Sequence, residues 1–271
     1  MSCILDPTYG KALVTGASGG LGREMALGLA RAGWELILVG RDAGRLEACR
    51  RSLAGTRSAE AVTIRSDLSE PGAASRLFDE CQGRGFEVEL LVNNAGCGLF
   101  GLSVALSPSG VESMLALNMI ALSSLCSLFG ASMKVRGSGK ILNIGSLVGK
   151  FAVPYFSSYA ASKSYVLSYS LALRSELRHT GVSVSCLLPG YIRTDFDERA
   201  GISSPTYRRF SKRNGKDAAL VARAGLKMLR RGRPYASIGV GDKLVSGLST
   251  VVPRSLVPVM IKPFMDRFAT R

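Results

Sequence analysis

Seven short apolar runs, each separated from the next by a segment of helical periodicity, constrain this chain more than any other feature. The runs fall at residues 12–14, 35–39, 61–64, 89–92, 141–144, 182–188 and 236–240, and the helical segments at roughly 20–32, 42–54, 70–84, 111–136, 156–180 and 217–231. The runs are rich in Val, Ile and Leu and lack strict apolar–polar alternation, the pattern of strands buried on both faces of a parallel sheet. Strands that alternate with helices predict an α/β fold, a doubly wound parallel sheet of about seven strands with helices on both faces. With 271 residues, 46% of them hydrophobic, the chain can build one sizeable core, and no repeat or linker divides it. Residues 1–271 are therefore read as a single domain.

The first run leads straight into Thr15-Gly16-Ala17-Ser18-Gly19-Gly20-Leu21-Gly22. Glycines here let the chain turn tightly and let its backbone approach a diphosphate with no Cβ in the way. The helix that follows offers free N–H groups and the positive end of its dipole to the anion. A Gly-rich turn directly after a first strand predicts a Rossmann-type dinucleotide site. The second run ends Leu38-Val39-Gly40-Arg41-Asp42. An acidic residue at this strand tip would bind a ribose 2′-hydroxyl, whereas an arginine accommodates a 2′-phosphate. Gly40 holds the tip, Arg41 follows, and Asp42 is placed to cap the next helix. This balance favours NADP(H) over NAD(H).

Several chemistries are excluded. The lone histidine, His179, leaves no multi-histidine zinc site, so no metal is expected. Its place before Thr180-Gly181 is a helix-capping context. The six cysteines, Cys3, Cys49, Cys81, Cys97, Cys126 and Cys186, sit singly with no CxxC spacing, as reduced thiols in a cytoplasmic protein do. The segment 1–7 lacks a basic start and a long apolar stretch, so no secretory signal is read there. Residues 244–265 are apolar, but Pro253, Pro258 and Pro263 would break a spanning helix repeatedly. A basic, proline-containing tail over about 241–271, packed or lying on a membrane surface, is expected instead.

Further motifs stand in register with the glycine turn: Asn93-Asn94-Ala95-Gly96 after the fourth strand, Asn118 within a helix, Ser146 after the fifth strand, Tyr159-Ala160-Ala161-Ser162-Lys163 thirteen residues on, and Pro189-Gly190 with Thr194 beyond the sixth. Over about residues 10–195 the chain resembles the short-chain dehydrogenases/reductases, most closely broad-specificity reductases with a similar second strand tip. The resemblance implies a nucleotide held by Gly16, Ser18, Gly19, Gly20, Leu21, Gly22, Arg41, Asp67, Leu68, Asn94, Ala95, Gly96, Tyr159, Lys163, Pro189, Gly190, Ile192 and Thr194. It implies catalysis by Ser146, Tyr159, Lys163 and Asn118. Asp67 and Leu68 would lie on the adenine side, although Asp67 also suits an ordinary cap. Lys163 would reach the nicotinamide ribose, and Asn118 would hold a water linking Lys163 to solvent. The family's dimers and tetramers imply a homo-oligomer.

These residue types suit hydride chemistry. Tyr159 and Lys163, four apart, share a helix face. A nearby ammonium lowers the pKa of a phenol, so that Tyr159 can act as general acid in carbonyl reduction and as base in the reverse direction. Ser146 would hydrogen-bond the substrate oxygen and favour the developing alkoxide. Tyr155, Tyr165 and Tyr169 have no lysine four residues on. Leu99, Phe100, Val148, Phe151, Val153, Pro154 and Phe156 supply an apolar lining for a small-molecule carbonyl or alcohol, a ketone, an aldehyde or a 3-oxoacyl compound. Residues 191–213 are read as a mobile lid, whose basic half, Arg208, Arg209, Lys212 and Arg213, could meet a substrate phosphate. A nucleotide-sensing or regulatory protein without turnover is the alternative reading, but a sensor does not require Ser146, Tyr159 and Lys163.

The net charge of +15 is unevenly placed. Residues 1–200 carry 20 basic and 17 acidic side chains (+3), and residues 201–271 carry 15 and 3 (+12). A nearly neutral main body with no recognisable module argues against nucleic acid as a partner. A peripheral membrane contact through the basic C-terminal region, an acidic carrier, or plain solubility remain the readings of the excess.

Overall fold

A computed structural model describes residues 10–56 and 61–269; Cys3 and the segment 1–7 discussed above lie outside the described residues. The elements run β1 (Lys11–Thr15), α1 (Gly20–Arg31), β2 (Glu35–Gly40), α2 (Ala43–Ser52), β3 (Ala61–Arg65), α3 (Ala73–Gly83), β4 (Val88–Asn93), α4 (Pro108–Leu115), a π turn (Ala116–Ala121), α5 (Leu122–Arg136), β5 (Gly139–Ile144), α6 (Ser157–Glu176), β6 (Val182–Leu188), α7 (Phe196–Arg199), α8 (Pro205–Asn214), α9 (Ala218–Arg230), β7 (Tyr235–Ser237), α10 (Val240–Val251) and α11 (Leu256–Asp266). The seven strands form one sheet in the order β3-β2-β1-β4-β5-β6-β7. Every pairing is parallel, as the unalternating apolar runs predict.

The period-two geometry of the strands sorts their side chains between two cores. Ala12, Val14, Leu36, Leu38, Leu90 and Val92 pack with α1, α2 and α9 on one face. Leu13, Ile37, Val39, Leu91 and Ile141 pack with α3, α5 and α6 on the other. Chain order reverses direction in the sheet between β1 and β4. In such a sheet that switch point opens the ligand crevice at the carboxyl ends of the strands.

Caps fix several boundaries. The Asp42 side chain accepts from Arg45 N at 2.9 Å and Asp217 from Ala219 N at 2.8 Å, so α2 and α9 start where these residues stand. His179 takes the left-handed conformation (φ 69°) in the turn between α6 and β6, in keeping with its capping context. That turn is at the amino edge of the sheet, away from the crevice. The composite helix Pro108–Arg136 is long and apolar enough to cross a membrane. It is instead the crossover from β4 to β5, and Leu122, Leu125, Cys126 and Phe129 bury one of its faces in the core.

Two regions differ from the expectation. The seventh strand covers Tyr235–Ser237 rather than residues 236–240, because Gly239 (φ 90°) turns the chain and Val240 already opens α10. The described part of the proline-containing tail, residues 241–269, is mostly helical, made up of α10 and α11. Pro253 falls between them, Pro258 sits in the first turn of α11, where an amide would have no partner within the helix, and Pro263 stands inside α11 without ending it.

Candidate active site

The glycine turn is built against the end of β4. Thr15 Oγ1 accepts from the amides of Asn94 (3.0 Å) and Ala95 (2.9 Å), and Asn94 Nδ2 donates to Thr15 O (2.9 Å) and Gly16 O (3.2 Å). Gly16 (φ 65°) and Gly20 (φ 55°) are left-handed. A Cβ on Gly16 would stand 2.9 Å from Asn94 Nδ2 and 3.0 Å from Ala95 Cα, and one on Gly22 would run into the Gly16 carbonyl. No side chain caps the amides that open α1. A cradle closed to any Cβ and lined by free helix amides fits the diphosphate of a dinucleotide. The Asn94 side chain props this cradle, and Leu21 and Leu68 are core side chains, so only their backbones can face a ligand.

Beyond the tip of β2, Arg41, Arg65, Ser66, Asp67, Glu70 and Arg76 line a cavity of about 440 Å³. Ser18 Oγ would stand 3.3 Å from a Cβ on Gly40, which places that hydroxyl at the β2 tip. Asp67 Oδ1 accepts from Ser69 N (3.0 Å) and Ser69 Oγ (2.6 Å). The Ser69 hydroxyl, more than the neighbouring Arg41, holds the Asp67 carboxyl below its ordinary range. Asp67 thus caps a turn and also faces the cavity.

Past β5 the chain places Ser146 over Pro189, with Ser146 Oγ 3.5 Å from Pro189 O and accepting from Val148 N at 3.4 Å. Tyr159 and Lys163 lie one turn apart on α6. Lys163 is buried; its Nζ donates to Ile144 O at 3.0 Å and lies 5.8 Å from the centre of the Tyr159 ring. Burial pulls the Lys163 ammonium down to about 8. Burial pushes the Tyr159 phenol up, and a hydrogen bond with Ser146 draws it partly back. Buried Ser146 and Lys163 and half-buried Tyr159 therefore form one group at the crevice. Gly96 is close to it: a Cβ there would lie 3.4 Å from Lys163 Nζ and 3.1 Å from Asn118 Oδ1.

Asn118 belongs to the π turn. Its Oδ1 accepts from Cys97 N (3.0 Å), and its Nδ2 donates to Cys97 O (2.9 Å) and Ser162 Oγ (3.1 Å). Its side chain thus holds the segment after β4 against α6. A water-holding role would fall to its backbone.

A third cluster, rich in aromatic residues, covers this group. The Tyr159 ring packs on Phe156 (5.6 Å between centres) and on Phe196 of α7 (5.4 Å). Of the expected lining, Val153 and Phe156 are buried here and Phe100, Val148 and Phe151 pack against them. Pro154 lines a separate cavity of about 470 Å³ with Lys150 and Arg254. Among the members that the sequence reading missed are Tyr207 of α8 and, at the end of α11, Met265 and Phe268. The Asp197 carboxylate is enclosed with them, accepting from Ser211 Oγ (2.6 Å) and Tyr207 OH (3.3 Å), and burial raises its pKa. Asp242 of α10 was also missed. It accepts from Gly190 N at 3.2 Å and from Lys216 Nζ at 2.7 Å, which ties the turn after β6 to the C-terminal helices. Residues 191–213 contain α7 and α8, and Thr194 lies against Gly20 of the cradle. On α8, Tyr207 and Ser211 face inward, whereas Arg208, Arg209, Lys212 and Arg213 are exposed.

A doubly wound sheet with a glycine cradle at its switch point and a Ser–Tyr–Lys group beside it defines an oxidoreductase of the α/β class. The chain belongs to the short chain dehydrogenase family, whose model matches residues 10–203. Ketoacyl reductase HetN of Nostoc sp. is 34% identical over 203 residues, 71% of this chain and 70% of that protein. Dehydrogenase/reductase SDR family member 7B of Danio rerio is 32% identical over 257 residues, 92% of this chain and 83% of that protein. Among solved structures, a short-chain dehydrogenase from Sphingobium yanoikuyae in complex with NADPH superposes with a TM-score of 0.78 at 29% identity, covering 91% of this chain and 97% of that one.

Proposed function

We propose that this chain is an NADPH-dependent reductase of apolar ketones, 3-oxoacyl compounds among them. The observation that carries the reading is the Ser146–Tyr159–Lys163 group, with Ser146 and Lys163 buried and Tyr159 half-buried, set between the glycine cradle and an aromatic cluster. When bound, the nicotinamide supplies the hydride. Ser146 Oγ orients the carbonyl oxygen, and the Tyr159 phenol, kept protonated by burial, delivers the proton to that oxygen as charge develops on it. The Lys163 ammonium then stabilises the phenolate left behind. Gly16, Gly19, Gly20 and Gly22 would carry the diphosphate, and Pro189, Gly190, Ile192 and Thr194 would flank the nicotinamide end.

The preference for NADPH rests on Arg41, Arg65 and Arg76 around the cavity at the β2 tip, where no carboxylate occupies position 40. The NADPH held by the Sphingobium relative and the ketoacyl substrate named for the Nostoc one support the same reading. The test is NADPH consumption with a 3-oxoacyl ester or CoA thioester, by wild type and Tyr159→Phe. The variant should bind NADPH as the wild type does, by fluorescence, and lose about 10²–10⁴-fold in turnover. Full turnover by Tyr159→Phe would overturn the mechanism, and NADPH binding with no turnover of any carbonyl would favour a nucleotide sensor.

A further inference from the structure

The C-terminal helices leave one side of the molecule apolar. On α10, Leu244, Leu248 and Val251 follow i, i+4, i+7 spacing, and on α11 Leu256, Val259 and Met260 share a face. All six are exposed, Val251 by 82% and Val259 and Met260 by 69% each. These helices are not loose. Asp242 fastens α10 to Gly190 and Lys216, and Lys150 Nζ donates to Ser246 Oγ at 2.7 Å. Tyr155 OH donates to Asp266 at 2.6 Å, while Met265 and Phe268 are buried under α11. The inner faces are therefore committed to specific contacts, and the outer faces present large aliphatic side chains to water, a surface that marks an interaction site.

The charge around this surface identifies its partner. Residues 201–271 hold 15 basic and 3 acidic side chains. Of the three acids, Asp242 is paired with Lys216 and Asp266 with Lys262. Arg254 is exposed between the two helices. Arg208, Arg209, Lys212 and Arg213 are exposed on α8, which packs beside α11 through Phe210 and Phe264, 5.2 Å between ring centres. We propose that α10 and α11 form an interfacial docking surface for an anionic lipid bilayer, with the aliphatic face entering the headgroup–acyl boundary and the basic residues meeting the headgroups. A second copy of the chain would bring the same excess of positive charge against itself, whereas anionic headgroups complement it. Nucleic acid would match the arginines but leave the aliphatic face in water. Because α11 also roofs the aromatic cluster around Tyr159, docking would turn the proposed reductase pocket toward the bilayer and toward carbonyl substrates dissolved in it. That last step rests on the function proposed above, and the docking itself does not.

The test is co-sedimentation of the full chain with vesicles of phosphatidylcholine alone or mixed with phosphatidylglycerol, a readout independent of turnover. Binding to the mixed vesicles should be at least about tenfold tighter than to the neutral ones and should weaken with salt. Val259→Ser with Met260→Ser should weaken it about tenfold. Arg208→Gln with Arg209→Gln, both exposed on α8, should lower binding to the anionic vesicles alone. The inference is overturned if wild type binds neither vesicle, if both double variants bind as wild type does, or if sedimentation shows a dimer that Val259→Ser with Met260→Ser abolishes. Loss of carbonyl reduction with vesicle binding intact would sink the function proposed above and leave this surface standing.

Discussion

Arg45 Nη2 meets Asp195 Oδ2 at 3.2 Å, an ion pair that joins α2 to the segment after β6. The same guanidinium lies against Gly19, since a Cβ there would stand 2.9 Å from Arg45 Nη2, and the Thr194 methyl faces Gly20. Together they form a strap across the diphosphate cradle. Both charges of the pair are about half exposed, so its worth is about 0–1 kcal/mol. Asp195→Ala should therefore speed cofactor release in stopped-flow fluorescence by no more than about fivefold, without change in the melting temperature. Raising the salt concentration should bring wild type toward the variant. A variant with unchanged release would show that the strap does not hold the ligand.

The Lys163 pKa predicts a pH profile. Burial lowers the ammonium to about 8, so its charged fraction falls as pH rises through that value, while the Tyr159 phenol, pushed up by burial, stays protonated across the same range. For carbonyl reduction, kcat/KM should be level below about pH 8 and fall above it as the cation beside Tyr159 is lost. Lys163→Arg keeps its charge to far higher pH. It should flatten the alkaline limb at a lower plateau, because the guanidinium cannot repeat the amine's contact with Ile144 O. A limb that persists in Lys163→Arg would assign it to another group.

Cofactor preference can be read at Arg41. A hydrogen bond to a charged group is worth about 1.5–3 kcal/mol, so Arg41→Ala should weaken NADPH by about 10–100-fold while leaving NADH nearly unchanged, by fluorescence titration. Arg65 Nε donates to Arg41 O at 3.2 Å and lines the same cavity. Arg65→Ala should shift the ratio in the same direction by a smaller factor. An unchanged NADPH-to-NADH ratio in both variants would clear this cavity of the role.

The parts of the site carried by local spacing were legible in the sequence. Gly16 to Gly22 follow one strand, and Tyr159 and Lys163 share one helix turn, so chain order alone brings each set together. Asn94 and Asn118 were legible as positions but not as roles, because the partners of their side chains, Gly16 and Cys97, come from other segments. The C-terminal helices were not legible. Three prolines weigh against helix in any local reading, yet Pro253 lies between helices, Pro258 lies in a first turn, and Pro263 is accommodated inside α11. Asp242 was hidden for a similar reason: Lys216 and Gly190, its partners, stand 26 and 52 residues away. Such long-range pairs leave no periodic trace in the sequence.

The aromatic roof gives the last prediction. Phe268 is buried, with ring centres 5.1 Å from Tyr207, 5.4 Å from Phe210 and 4.8 Å from Phe264. Phe268→Ala would remove the ring that joins α8 to the end of α11, at a cost of about 3–5 kcal/mol measured by chemical denaturation. The same opening should raise KM for long-chain ketones more than for short ones, because the lost surface is apolar wall rather than chemistry. Tyr155 offers the contrast. It sits left-handed (φ 65°) in the loop before α6, with its hydroxyl bonded to the exposed Asp266. Tyr155→Phe removes only that solvent-exposed bond and should leave the denaturation midpoint nearly unchanged. If Phe268→Ala were as mild as Tyr155→Phe, α11 would not be part of the folded core.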